Sequence, residues 1–180
     1  MEHCMPNRRQ IYVNVGIYCG LILKAINAAV VILGLAISPA AADAQLIGQA
    51  SVIDGDTIEI HGQRIRLAGI DAPESSQTCT SAAGRMWRCG REAAFALADA
   101  IGRSTVYCEA QGTGKYDRVL ASCTAKGIEL NSWMVQQGWA IRYYDYSRAF
   151  LGDEQAAAEA GRGIWSGQFI EPRVFRKAVR

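Results

Sequence analysis

Residues 52–74 read V-I-D-G-D-T-I-E-I-H-G-Q-R-I-R-L-A-G-I-D-A-P-E, carrying Asp54, Asp56, Asp71 and Glu74 besides Glu59, and two arginines, Arg64 and Arg66. The segments Thr57 to Ile60 and Arg64 to Leu67 alternate polar and apolar residues, the period-two pattern of a strand with one buried face. His61-Gly62-Gln63 between them reads as the turn of a hairpin. Closing that hairpin returns the chain towards its start, so Asp71 and Glu74 are expected near Asp54 and Asp56. Carboxylates crowd together only when positive charge sits among them. Arg66, flanked by Ile65 and Leu67, should project from its strand on the side opposite the core.

Upstream of this stretch the composition changes. Lys24 is followed by the apolar run A-I-N-A-A-V-V-I-L-G-L-A-I (25–37), then by Ser38-Pro39 and the small-residue tail A-A-A-D-A (40–44). A basic start, an apolar centre and a small-residue end form the pattern of a secretory signal, with the expected cut after Ala44. A membrane anchor is the competing reading, but the apolar core falls short of the roughly 20 residues that span a bilayer. Export to the periplasm or medium is therefore expected.

The whole chain of 180 residues has a formal net charge of +2. Losing residues 1–44, with three basic and two acidic side chains, leaves it near +1. Composition alone therefore makes no electrostatic case for a nucleic-acid partner, and local arrangement must carry one. Four cysteines remain after the cut: Cys79, Cys89, Cys108 and Cys123. An even number in an exported domain of this size suggests disulfides. Three connectivities are open; proximity favours Cys79–Cys89 and Cys108–Cys123. Zinc ligation is disfavoured, because there is no C-x-x-C pair and His61 is the only histidine after residue 44.

Downstream, residues 71–90 read as a loop stiffened by Pro73, which biases Ala72 towards extended backbone. A helix is expected over about Gly90 to Ile101, with Ala93, Ala94, Leu97 and Ile101 on one face. Two strands, Thr105 to Ala110 and Val119 to Cys123, follow, joined by a loop that holds Lys115, Tyr116, Asp117 and Arg118. Next come a helix over about Glu129 to Gln137, a short aromatic strand from Trp139 to Tyr146, and a helix over about Phe150 to Gly161. Residues 171–180 read as a basic, peripheral tail. Short strands with helices among them make the class α+β, a small barrel with helical supports.

Taken as chemistry, Asp54, Asp56 and Asp71 offer hard oxygen ligands for a cation such as Ca²⁺. Each alone could equally be an Asx-turn residue; the constellation gives them weight. Glu74 beside a metal-bound carboxylate is a candidate general base. Arg66 and Arg118 could bind a phosphodiester together, ion pairing with nearby acids being their competing role. Tyr116, Tyr143, Tyr144 and Tyr146 could stack on bases or pack the barrel mouth, and Lys115 could hold a phosphate.

From about residue 49 to 167 the chain resembles the staphylococcal nuclease (thermonuclease) family. The resemblance rests on V-I-D-G-D-T, R-L-A-G-I-D-A-P-E, G-R-E-A-A, K-Y-D-R-V-L-A, L-N-S-W-M-V-Q-Q-G-W-A and G-R-G-I-W, in that order. It implies an OB-fold, a five-stranded β-barrel with three helices, and Ca²⁺-dependent hydrolysis of DNA and RNA that leaves a 3′-phosphate. It also implies the roles of single residues. Asp56, Asp71 and the backbone carbonyl of Ala72 match the calcium ligands, and Asp54 matches the acid behind them. Glu74 matches the proposed general base, Arg66 and Arg118 the phosphate-binding arginines, and Lys115, Tyr116, Tyr144 and Tyr146 the nucleotide contacts. Three departures stand out: Asp117 replaces the glycine usual before the second arginine, the loop after Glu74 carries Cys79 and Cys89 where the founding enzyme has lysines, and the near-neutral mature chain should capture polymer more weakly. The implied substrate is single-stranded DNA or RNA, acted on by a monomer. A binding module that has lost cleavage is the alternative, and retention of Arg66, Glu74 and Arg118 together argues for the enzyme.

Overall fold

A computed structural model describes residues 45–114, 118–144 and 148–179. Strand β1 (Gln45–Asp54) runs into β2 (Thr57–Ile60) and β3 (Gln63–Leu67), all antiparallel. His61 and Gly62 turn the second hairpin at φ 51° and 79°. Two consecutive residues in the left-handed region suit the right-handed twist of the strands they join. The expected hairpin is therefore present, with Ile60 opposite Gln63.

The barrel is completed by β7 (Thr105–Thr113) and β8 (Val119–Ala125). β7 pairs with β1 and with β8, and β8 closes the sheet by lying parallel to β3. Closure removes the exposed sheet edges that two open strands would leave. Inward-facing Ile58, Ile60, Ile65, Leu67, Val106, Ala121 and Cys123 fill the interior, each at most 1% exposed. The first helix, α1 (Cys89–Ile101), covers one opening by burying Ala93, Leu97 and Ile101 against this core. β9 (Ile128–Glu129) leads into α2 (Leu130–Gln136), whose Asn131 is buried completely. Its amide accepts from the Cys123 N–H (3.1 Å) and donates to the carbonyls of Ala68 (2.9 Å) and Ala121 (3.1 Å), pinning the closing strand to the loop after β3.

Three further features lie outside the barrel. The two-residue strand β4 (Ile70–Asp71) pairs with β10 (Ile141–Arg142). Among the described residues of the expected aromatic strand over 139–146, only Ile141 and Arg142 pair with β4; on the Trp139 side Ala72-Pro73 ends the partner, since proline offers no N–H. Residues 71–90, expected as loop, contain β5 (Cys79–Ser81) and β6 (Met86–Trp87). With β11 (Gly167–Gln168) these form a separate small sheet over Cys79, Cys89, Ile141 and Ile164. After α3 (Leu151–Glu159) and a 3₁₀ turn (Gly163–Ser166), the chain ends in α4 (Pro172–Ala178). The fold is α+β, a closed five-stranded barrel with four helices among the described residues, one more than expected. The additional helix falls in the segment read as a peripheral tail.

Both favoured disulfides are formed. Cys108 and Cys123 face each other across β7 and β8, and Cys79–Cys89 joins β5 to the first residue of α1. Two structural disulfides belong to an oxidising, non-cytoplasmic environment. No described helix is long and apolar enough to cross a membrane.

Candidate active site

The acidic residues of 52–74 converge as the hairpin demands. Asp54 accepts the Asp56 N–H at 3.0 Å, tightening the turn between β1 and β2 and carrying the Asx-turn role. Asp56 points inward and is only 3% exposed. Its Oδ1 takes hydrogen bonds from Arg66 Nη1 (2.7 Å) and the Thr57 hydroxyl (3.0 Å), and its Oδ2 takes the Ala72 N–H (3.0 Å). Arg66 reaches this point because its residue pairs with Thr57 across the hairpin. Its other terminal nitrogen donates to Asp71 Oδ1 at 2.8 Å, so one guanidinium bridges two nearly buried carboxylates. Ala72 itself is 4% exposed, which places its backbone rather than any side-chain chemistry in the cluster.

Burial pushes the Asp56 carboxyl up to about 7, opposed by Arg66 and the Ala72 amide and reinforced by Asp54 and Asp71. Burial works against the charge on Arg66, yet Asp56 and Asp71 outweigh it and hold the guanidinium above its ordinary value.

Glu74 stands at the rim, its side chain 36% exposed. Its backbone is locked by Gln77, fully buried, which accepts the Glu74 N–H on its side-chain oxygen (3.3 Å) and gives its own N–H to the Glu74 carbonyl (2.7 Å). Gly90 in the first turn of α1 lies against the same carbonyl, so closely that a Cβ there would collide with it. Glycine is required at that contact.

The structure also brings in a residue that the sequence reading left out. Arg176, from α4, donates through Nη1 to Asp71 Oδ1 (2.9 Å) and Glu74 Oε1 (2.8 Å), and through Nη2 to Asp71 Oδ2 (2.9 Å). Desolvation lowers its basicity, but its hydrogen bonds to the Asp71 and Glu74 carboxylates more than reverse that. No local signal marks this arginine among the basic residues of the C-terminus, because its partners lie 105 and 102 positions earlier.

The remaining expected residues are placed less completely. Arg118 is half-buried at the entry to β8, its carbonyl accepting the Gly114 N–H at 2.7 Å. It lies two positions before Leu120, the parallel partner of Arg66. Tyr144 is 47% exposed, lies 4.3 Å beneath the Arg142 guanidinium, and shares a cleft with Asp71, Glu171 and Arg173. It sits in a turn beyond β10, not on a strand. Lys115, Tyr116, Asp117 and Tyr146 lie outside the described residues.

Among the described residues, no three His, Cys, Asp or Glu side chains form a ready metal cage. Asp56 and Asp71 nevertheless supply two buried carboxylates, hard donors of the kind Ca²⁺ takes along with carbonyls and water. Their chemistry fits such an ion, although guanidiniums engage their oxygens.

Residues 64–167 match the family described as staphylococcal nuclease homologue. The succinoglycan biosynthesis protein ExoI of Rhizobium meliloti (strain 1021) is 42% identical over 126 residues, which cover 68% of this chain and 66% of that protein. The micrococcal nuclease of Shigella flexneri is 33% identical over 177 residues, covering 88% of this chain and 94% of its own length. An uncharacterized endonuclease of Haemophilus influenzae is 30% identical over 134 residues, 70% of each chain. With the closed barrel and the clustered acids and arginines already in place, these matches establish that the chain belongs to the staphylococcal nuclease family of hydrolases.

Proposed function

We propose that this protein is an exported, monomeric, Ca²⁺-dependent endonuclease that hydrolyses phosphodiester bonds of single-stranded DNA or RNA. The observation that carries the reading is the single connected cluster of Asp56, Arg66, Asp71 and Glu74 at the barrel rim. Asp56, Asp71 and the Ala72 carbonyl would hold the cation, with Asp54 behind them. When bound, it would supply Lewis-acid polarisation of a phosphate oxygen.

The chain's own groups do the rest. Glu74, at the rim and partly exposed, accepts a proton from a water molecule as its oxygen attacks phosphorus. The bond from phosphorus to the 5′ oxygen breaks, leaving a 3′-phosphate and a 5′-hydroxyl. Arg66 and Arg118 donate to the non-bridging oxygens, where negative charge builds in the five-coordinate transition state. Tyr144 in its cleft offers a ring for an adjacent base, and Lys115, Tyr116 and Tyr146 complete the nucleotide contacts.

Digestion of single-stranded DNA by the full chain tests this directly. Cleavage with Ca²⁺ should stop on adding EGTA, and Glu74→Gln should lower kcat by about 10³-fold at unchanged folding. Undiminished cleavage in chelator would remove the metal from the reaction. The competing reading, a binding module that no longer cleaves, is favoured by one contact, Arg176 on Glu74. It requires no cleavage under any of these conditions.

A further inference from the structure

The three hydrogen bonds from Arg176 fall on the groups that the proposed reaction needs unencumbered. Both oxygens of Asp71 and one oxygen of Glu74 are taken. Asp71 has no spare exposure, its side chain being 2% accessible, so water cannot substitute for the guanidinium without movement. A divalent cation drawn to Asp71 would also meet the Arg176 charge at hydrogen-bonding range, where like charges repel strongly in a half-buried setting.

The delivery of Arg176 is built into the fold. Gln77, completely buried, holds the Glu74 backbone with its side-chain oxygen and donates from its side-chain nitrogen to the Ile170 carbonyl at 2.6 Å. One amide therefore fixes both the loop that carries Glu74 and the chain just ahead of α4. Pro172, buried, starts the helix there, a position where its missing N–H costs nothing. Beyond Pro172 the helix is weakly anchored. It is seven residues long, with Val174 half exposed and Val179, just past its end, two-thirds exposed. A short helix with so little buried apolar surface belongs to the readily opened end of a structure. Its Arg176 ion pairs tie it to Asp71 and Glu74.

We propose that α4 is an autoinhibitory strap: Arg176 occupies the cation- and proton-accepting groups Asp71 and Glu74, and must withdraw before the site loads Ca²⁺. The inference rests on the calcium-dependent reading above. In the closed state the acids Asp54, Asp56, Asp71 and Glu74 are partly neutralised by Arg66 and Arg176, and Ca²⁺ replaces the second of these cations. The apparent affinity for Ca²⁺ is then the intrinsic affinity reduced by the fraction of molecules with the strap open. Removing the guanidinium removes that reduction.

Calorimetric titration of the full chain with CaCl₂ tests the proposal without reference to catalysis. Arg176→Ala should bind Ca²⁺ about ten-fold more tightly than wild type, the shift expected if the open fraction is roughly a tenth. Lys177→Ala, which removes the same charge from an exposed position of the same helix, should stay within about two-fold of wild type, because a screened surface charge contributes little. Amide hydrogen exchange should accelerate over residues 173–178 when Ca²⁺ is added to wild type. Equal affinity in wild type and Arg176→Ala, an equal gain from Lys177→Ala, or unchanged exchange over 173–178 would each overturn the strap while leaving calcium binding intact. Absence of binding in all three proteins would overturn the calcium reading and the strap together.

Discussion

The closed barrel and the small sheet of β5, β6 and β11 hold the same acidic cluster by different means. On the barrel side, Asp54, Asp56, Arg66 and Asp71 come from one stretch, and antiparallel register places them: Thr57 opposite Arg66, Asp54 opposite Thr57. Behind them lies a large continuous core. On the other side, Glu74 and Arg176 are held by segments far apart in sequence, joined through Gln77, Gly90 and a disulfide. Their local core is Cys79, Cys89, Ile141 and Ile164, with Trp87, Trp165 and Phe169 against it. Register with a deep core makes a rigid half-site, whereas a thin core with long-range links makes a half-site that can open. The proposed cation ligands are on the first side and the proposed base on the second.

Breaking the two disulfides separately is the strongest way to test that contrast. The closed loops are similar, with separations of 10 and 15 residues, so chain entropy assigns each about 3 kcal/mol. Their consequences should differ. Cys108→Ala/Cys123→Ala should lower Tm while leaving the cluster and its activity in place, because Val106, Ala121 and their neighbours still pack. Cys79→Ala/Cys89→Ala should instead expose the small sheet to hydrogen exchange and abolish activity well below the melting of the barrel. Identical patterns of exchange in the two variants would remove the distinction.

A smaller effect is expected from Gly90→Ala. The added Cβ collides with the Glu74 carbonyl, so the proposed base must shift, and a displacement near 1 Å costs about 10²-fold in rate. Substrate binding and barrel Tm should change little, as measured by KM and thermal melting. Wild-type kcat in this variant would show that Glu74 does not depend on that contact. Smallest is Asn131→Ala on the barrel side. It leaves the Cys123 N–H and the Ala68 and Ala121 carbonyls short of a partner, costing roughly 2 kcal/mol of global stability in denaturant titration. At temperatures where it remains folded, its cleavage rate should match wild type.

The same contrast governs what could be read in advance. The hairpin was legible because strand alternation and a two-residue turn are local signals, and they placed Asp56, Arg66 and Asp71 within reach of one another. Helix α1 was legible from Ala93, Leu97 and Ile101 at helical spacing. The small sheet was not: strands of two or three residues carry no periodicity, and β11 lies more than eighty residues beyond β5. Residues 139–146 resemble a strand in aromatic composition, but pairing needs a partner and β4 is only Ile70–Asp71. The C-terminal segment looked like a solvated basic tail for want of an apolar stripe; its anchor is electrostatic, and composition does not show where a guanidinium lands.

The amino-acid sequence by itself determined the barrel and the convergence of the acids in 52–74, and favoured two of the possible cysteine pairs, because alternation, turn residues and proximity act over a few positions. Only the tertiary structure decided the state of those acids. Arg66 bridges Asp56 to Asp71, and Arg176 bridges Asp71 to Glu74. An ion pair spanning 105 residues depends on the path of everything between, so it exists only once closure of the barrel and docking of α4 have put the charges side by side.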